Sequence, residues 1–257
     1  MDLGLKGRVA LVLASTSGLG LATARALSAE GARVAIAGRR MDVARTEAGR
    51  LDGAVALPAD LSDRQSVAAL PSAVRHALGP IDILVLNGPG PAPASARDVD
   101  LDAVRRGLDS LLLEHIRLTH DCLADMVPRG WGRILAIGSS GIESPLPNLA
   151  ISNLGRSALA AYLKTLAAEV AGDGVTVNML LPGRIATERT AELDRQSAQR
   201  QGIEPSDAER RSAATIPMRR YGQPAEFGAY AAFLCSESAS YVTGSRVRCD
   251  GGLLRSL

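Results

Sequence analysis

The stretch RVALVLASTSGLG, residues Arg8 to Gly20, decides the fold. Its first half, Arg8 to Leu13, is an apolar run of strand length, the pattern of a strand buried on both faces. Its second half is small and hydroxylated and carries Gly18 and Gly20. A helical pattern, Leu19 to Glu30, follows at once and stops at Gly31, a residue type that favours helix ends. A helix N-terminus offers unpaired N–H groups and a partial positive charge, so such a turn suits a pyrophosphate. Glycines let the backbone approach the phosphates and let the helix pack close to the strand, and hydroxyls add hydrogen bonds. Ser15, Ser17, Gly18, Leu19 and Gly20 are therefore the candidate phosphate-holding residues. A glycine pair at a strand-to-helix turn near the N-terminus is a stronger signal than a glycine pair alone.

Working outward, strand-length apolar runs alternate with helical patterns. Strands are expected at Val34–Gly38, Ala54–Ala59, Ile81–Leu86, Gly132–Ile137, Val175–Leu181 and Arg246–Cys249. Helices are expected at Met41–Leu51, after Ser62 or Asp63, at Leu101–Met126, at Asn148–Val170 and at Pro224–Cys235. Continuous apolar strands separated by helices imply a parallel sheet covered on both faces. Right-handed crossovers make it doubly wound, an α/β single domain over residues 1–257 with about seven strands. One segment breaks the rhythm: the polar, helix-favouring stretch at about 187–215 follows a strand, where such folds place substrate loops, and is read as a lid.

Composition narrows the function. Among 257 residues, 29 Lys and Arg oppose 27 Asp and Glu. A net charge of +2 without a dense basic block gives no footprint for nucleic acid. No apolar run reaches the roughly 18 residues of a membrane span, and the charged opening, Met1 to Arg8, does not read as a signal peptide. Cys122, Cys235 and Cys249 are odd in number and far apart, which argues against a disulfide framework or a cysteine metal site and for a reducing cytoplasm. His115 and His120 sit about 140° apart around one helix, so no shared metal face is expected. The second strand ends in Gly38-Arg39-Arg40. An acidic residue there would accept from the adenosine ribose of NAD, whereas a guanidinium grips a 2′-phosphate, so NADP(H) is favoured over NAD(H).

The glycine turn resembles that of the short-chain dehydrogenase/reductases, Thr-Gly-x-x-x-Gly-x-Gly, with Leu13 and Ala14 where the family has Thr and the first Gly. The Leu removes a structural hydroxyl, and the Ala is tolerable at negative φ. The resemblance runs through nearly the whole chain. Asp60-Leu61 matches the adenine-contacting pair, and Asn87 is what survives of Asn-Asn-Ala-Gly. The Gly/Pro-rich loop at 88–94 is similar to that of one branch of the family, and the chain as a whole resembles 3-oxoacyl-carrier-protein reductase-like members. Pro182-Gly183-Arg184-Ile185-Ala186-Thr187 is close to Pro-Gly-x-x-x-Thr, which implies that Ile185 and Thr187 face the nicotinamide carboxamide.

The resemblance also implies four catalytic positions. Ser139 matches the serine that orients the substrate oxygen. Ser152, thirteen residues on, stands where the proton-transferring Tyr is expected, and Arg156 stands where the Lys is expected. Leu111 stands where an Asn would hold the relay water. A serine hydroxyl is a much poorer acid than a phenol. Arg156 can hold ribose hydroxyls but does not shuttle a proton as Lys does. The expected function is thus an NADP(H)-linked oxidoreductase of a small carbonyl or alcohol with altered acid–base residues. The alternatives are an enzyme of this fold without net redox chemistry and a non-catalytic nucleotide-binding protein. The family's pairing of the helices at Leu101–Met126 and Asn148–Val170 between subunits implies a homodimer or homotetramer. The arginines of the lid region, Arg184, Arg189, Arg195 and Arg200, would suit an anionic substrate group or simply a solvated face.

Overall fold

The computed structural model describes residues 2–256. Seven parallel strands form one sheet in the order β3-β2-β1-β4-β5-β6-β7. They are β1 (Val9–Val12), β2 (Arg33–Gly38), β3 (Val55–Pro58), β4 (Ile83–Leu86), β5 (Gly132–Ile137), β6 (Val175–Pro182) and β7 (Arg246–Cys249). The helices are α1 (Gly18–Ala29), α2 (Met41–Ala48), α3 (Arg64–Leu78), α4 (Leu101–Leu108), α5 (Glu114–Met126), α6 (Ala150–Val170), α7 (Glu188–Gln201), α8 (Pro205–Ala214) and α9 (Pro224–Leu234).

Period-two alternation along the buried strands splits the core in two. Leu11, Leu84, Ile134 and Val177 face one way, against Val67 and Leu70 of α3, Leu118 of α5 and Leu163 of α6. Ala10, Val12, Ile36, Val85 and Leu135 face the other way, against Leu27 of α1, Ala44 of α2 and Phe227 of α9. Helix α9 lies close on α1 because Gly228 has no side chain: a Cβ there would lie 2.5 Å from the carbonyl oxygen of Ala22. The strand order reverses direction between β1 and β4, and the crevice above their carboxyl ends is where open α/β sheets bind ligands.

Two local expectations change. The run Leu101–Met126 is helical throughout, but Asp109–Leu113 between α4 and α5 is a π-helical turn, a form that needs one extra residue per turn. Helix α6 begins at Ala150 rather than Asn148 because Asn148 is left-handed, at φ 58°. The polar stretch read as a lid is two helices, α7 and α8, joined at Gly202 in a left-handed turn. No helix among the described residues is long and apolar enough to cross a membrane.

Candidate active site

The phosphate turn is built from β1 outward. Leu13 N–H still pairs with the Val85 carbonyl. Ala14 then turns the chain at φ 46°, so the negative φ expected for an alanine here is not what forms. Ser15 is fully buried; its hydroxyl donates to the Val12 carbonyl across 2.7 Å and accepts from the Ala37 N–H across 3.0 Å. It therefore braces β1 against β2 and does not present its hydroxyl to a ligand. Ser17 is the extended N-cap of α1 and leaves its own cap bond unmade. Gly18 adopts φ 56°, and the N–H groups of Gly18, Leu19 and Gly20 have no acceptor among the described residues, as the first turn of a helix dictates. A Cβ on Gly20 would lie 2.5 Å from the Ala14 carbonyl oxygen and 2.8 Å from Nδ2 of Asn87. That glycine is required by close packing.

At the end of β2 the two arginines part company. Arg40 Nη2 donates to Ser17 Oγ across 2.8 Å and to Thr16 Oγ1 across 3.2 Å. Arg39 is exposed and makes no side-chain hydrogen bond among the described residues. Asp60 accepts from the N–H and hydroxyl of Ser62. Those bonds, helped by the charge of Arg39, hold its carboxyl below the usual range. Leu61 is buried, within van der Waals reach of Gly88.

Asn87 follows β4. Its Nδ2 donates to the Ala14 carbonyl across 3.3 Å. On the other side of the crevice, the segment after β6 is pinned to the C-terminal strand: Gly183 N–H donates to Cys249 O, and a Cβ on Gly183 would collide with Asp250. Pro182 pairs with Cys249 in the ladder. Ile185 is buried and bridges to Gly222. Thr187 caps α7 by accepting from Thr190 N–H, and its methyl comes near Gly18. The loops after β1 and β6 thus face each other across the crevice.

The residues that the resemblance places at catalytic positions lie at the end of β5 and the start of α6. Ser139 caps a short 3₁₀ turn, its Oγ accepting from Gly141 N–H across 3.1 Å, so its proton is free to donate. Arg156 reaches back to the same strand end, Nη1 donating to Ile137 O across 2.9 Å. No carboxylate among the described residues lies within ion-pair distance of it, and burial pushes the guanidinium down to about 10. Ser152 is buried and its hydroxyl makes no hydrogen bond among the described residues. The Gly/Pro loop is stitched over this point: Ala94 N–H donates to Asn148 O and Ala150 N–H to Ala94 O.

No tyrosine replaces the missing phenol by bonding to Ser139 or Ser152. Tyr221 is buried and donates to Asp194 across 2.9 Å, Tyr230 stacks on Phe233, and Tyr241 is fully exposed. Tyr162 packs edge-on to His120. Of the arginines in the lid region, Arg184 pairs with Asp194 and Arg195 with Glu192. Arg189 makes no ion pair among the described residues and lies beside Gly90.

Sequence reasoning missed His115. It is 3% exposed, with Nδ1 3.0 Å from the carbonyl oxygen of Leu111 and Nε2 3.4 Å from that of Asn87. Burial lowers its pKa, the two carbonyl contacts oppose this, and the charge of Arg156 adds to the lowering. The signal was a histidine four residues after Leu111, one helical turn along the same face.

The sequence model of the family described as enoyl-(acyl carrier protein) reductase matches residues 13–254. Dehydrogenase/reductase SDR family member 4 of Bos taurus is 34% identical, the match covering 98% of this chain and 89% of that protein. The NADPH-dependent reductase BacG of Bacillus subtilis (strain 168) is 29% identical over 97% of this chain and 99% of its own. L-sorbose reductase from Gluconobacter frateurii, solved with NADPH and L-sorbose, superposes with a TM-score of 0.95 at 30% identity, over the full length of both chains. With its parallel seven-stranded sheet, its glycine turn and a family match spanning nearly every residue, this chain belongs to the short-chain dehydrogenase/reductase family, as an oxidoreductase of that family.

Proposed function

We propose that the protein is an NADP(H)-dependent oxidoreductase that interconverts a carbonyl and an alcohol on a small molecule, using Ser139 and Arg156 without a tyrosine acid. The observation that carries the cofactor choice is the exposed Arg39 at the end of β2, without a carboxylate partner among the described residues, beside a helix terminus with unpaired N–H groups. The residues fit the cofactor. Gly18, Leu19 and Gly20 would hold the pyrophosphate, Arg39 the 2′-phosphate, Asp60 and Leu61 the adenine, and Asn87, Pro182, Gly183, Ile185 and Thr187 the nicotinamide half. Ser15 and Arg40 would shape the turn from behind, and Ser17, tied to Arg40, would border it. When bound, the cofactor supplies or takes the hydride. BacG is an NADPH-dependent reductase, and the sorbose reductase named above was solved with NADPH bound, which supports the reading.

The chain's own residues act on the substrate oxygen. Ser139 donates its free hydroxyl proton as a hydrogen bond. Arg156, fixed on the Ile137 carbonyl, places a permanent positive charge beside the oxygen that becomes negative. A fixed charge in a site sheltered from water stabilises such an oxyanion without reorganisation. With no phenol at Ser152, the proton that completes the alcohol is drawn from bulk solvent.

The test is NADPH consumption against a panel of small ketones and aldehydes, with Ser139→Ala as control. The proposal requires turnover that falls about tenfold or more in Ser139→Ala. NADPH binding without consumption of any carbonyl would instead favour a member of the family without net redox chemistry, a reading supported by the absence of a bonded tyrosine at Ser139. We further propose a homo-oligomer in a reducing, cytoplasmic compartment: Leu113 and Leu154 are half exposed on the helices around the π turn and α6, and the three cysteines are free thiols.

A further inference from the structure

We infer that His115 is a positioning residue for the dinucleotide site, holding Asn87 in the place from which it fixes the phosphate turn; the inference rests on the NADP(H) reading above. Three observations carry it. The imidazole is buried between two backbone carbonyls that belong to different parts of the site, Leu111 O in the π turn at 3.0 Å and Asn87 O in the loop after β4 at 3.4 Å. Its edge supports the next residue as well: a Cβ on Gly88 would lie 3.6 Å from Cε1 of His115. Asn87 in turn reaches the Ala14 carbonyl with its side-chain amide and packs against Gly20. The contacts therefore run without a break from the π turn through His115 and Asn87 to the strained residue of the phosphate turn.

The π turn gives the arrangement its logic. Leu111 lies within the π turn, and an N–H of the ring four residues on reaches its carbonyl. The shorter contact assigns the single proton of a neutral ring to Nδ1, donating to Leu111 O. The ring is then anchored to α5 through the π turn, and its other edge forms the floor under Asn87 and Gly88. The charged group that acts on the ring is Arg156, from α6. A leucine at 115 would fill the volume without the bond to Leu111 O that fixes the ring beneath Asn87 and Gly88. A glutamine keeps a donor.

The experiment is a fluorescence titration with NADPH of the wild type, His115→Leu, His115→Gln, Asn87→Ala and the double variant His115→Leu/Asn87→Ala, with Tm of each as a check on folding. His115→Leu is expected to weaken NADPH binding about fivefold or more, the effect of one hydrogen bond, and His115→Gln to recover most of it. Because His115 acts through Asn87, adding His115→Leu to Asn87→Ala is expected to weaken binding less than about twofold further, the non-additivity of residues in one network. A His115→Leu protein that loses Tm but binds NADPH as tightly as wild type would reduce His115 to a core residue and overturn the inference. Fully additive effects would overturn the route through Asn87. A wild type that bound no nucleotide would show itself in the first titration, and would remove the cofactor reading and this inference together.

Discussion

The side-chain amide of Asn87 donates to the carbonyl oxygen of Ala14 across 3.3 Å, and Ala14 is held there at φ 46°. The bond joins the ends of β4 and β1 at the point where the sheet reverses its order. A left-handed backbone costs a residue with a Cβ roughly 1–2 kcal/mol, and glycine's extra freedom in the unfolded chain offsets about 0.5–1 kcal/mol of the relief. Ala14→Gly is therefore expected to stabilise the protein by up to about 1 kcal/mol, a rise in Tm of roughly 2–4 °C by calorimetry. A lower Tm would show that the Ala14 methyl packs in a way that outweighs the strain.

Helix α7 is fastened by a buried carboxylate. Asp194 accepts from Tyr221 Oη across 2.9 Å and from Arg184 across 3.3 Å. Removing one partner of a buried charge loosens what it holds. Tyr221→Phe is expected to speed tryptic cleavage at Arg189, Arg195 and Arg200 by about fivefold or more, since local opening governs cleavage of a folded chain. Unchanged cleavage would mean that Arg184 alone holds α7.

Helix α9 carries a pH-dependent cap. Arg220 grips the Glu226 carboxylate and the Gln223 N–H donates to it; these bonds hold it down to about 2, against an ordinary 4.5. A carboxyl depressed in the folded state stabilises fully above its unfolded pKa, and the stabilisation is lost as pH falls toward the folded value. The Tm gap between wild type and Glu226→Gln is thus expected at neutral pH and to close between about pH 4.5 and pH 2. Because the pair is exposed, added salt narrows the gap as well. A gap that stays constant through that range would show that the carboxylate charge does not matter to the cap.

The catalytic positions can be rebuilt. A positioned general acid contributes about 10²–10⁴-fold, and Ser152 and Arg156 occupy the two positions that would supply one. The double variant Ser152→Tyr/Arg156→Lys is expected to raise carbonyl reduction about a hundredfold on any substrate the wild type reduces. Its pH profile is expected to gain a limb from the new phenol. No gain would show that Leu111, which stands where the relay asparagine is expected, sets the limit instead.

The strands and the glycine turn could be read from residues 8–20 because a buried parallel strand and a helix N-terminus each leave a local signature. That Ser139 and Arg156 meet at the end of β5 was implied by the family resemblance, which set the spacing of the motif. What stayed hidden depended on three-dimensional contact. The leucines at 111–113 read as ordinary helix, and nothing in their periodicity marks a π turn. Ala14 gave no sign of positive φ, because the bond from Asn87 that helps hold it comes from 73 residues away. Arg39 and Arg40 are neighbours in sequence, and only the turn of the chain sends Arg40 to Ser17 and leaves Arg39 free. Ser15 looked like a ligand for phosphate until its hydroxyl was found between β1 and β2.

The most direct test of an NADP(H)-dependent enzyme is a fluorescence titration of the purified wild type and of Arg39→Ala with NADPH and NADH. The predicted result is tighter binding of NADPH than of NADH by the wild type. Arg39→Ala should weaken NADPH about 10–100-fold, the value of charge-assisted bonds to a phosphate, with NADH little changed. Equal binding of the two nucleotides, an Arg39→Ala variant that keeps its NADPH affinity, or no binding of either would contradict it.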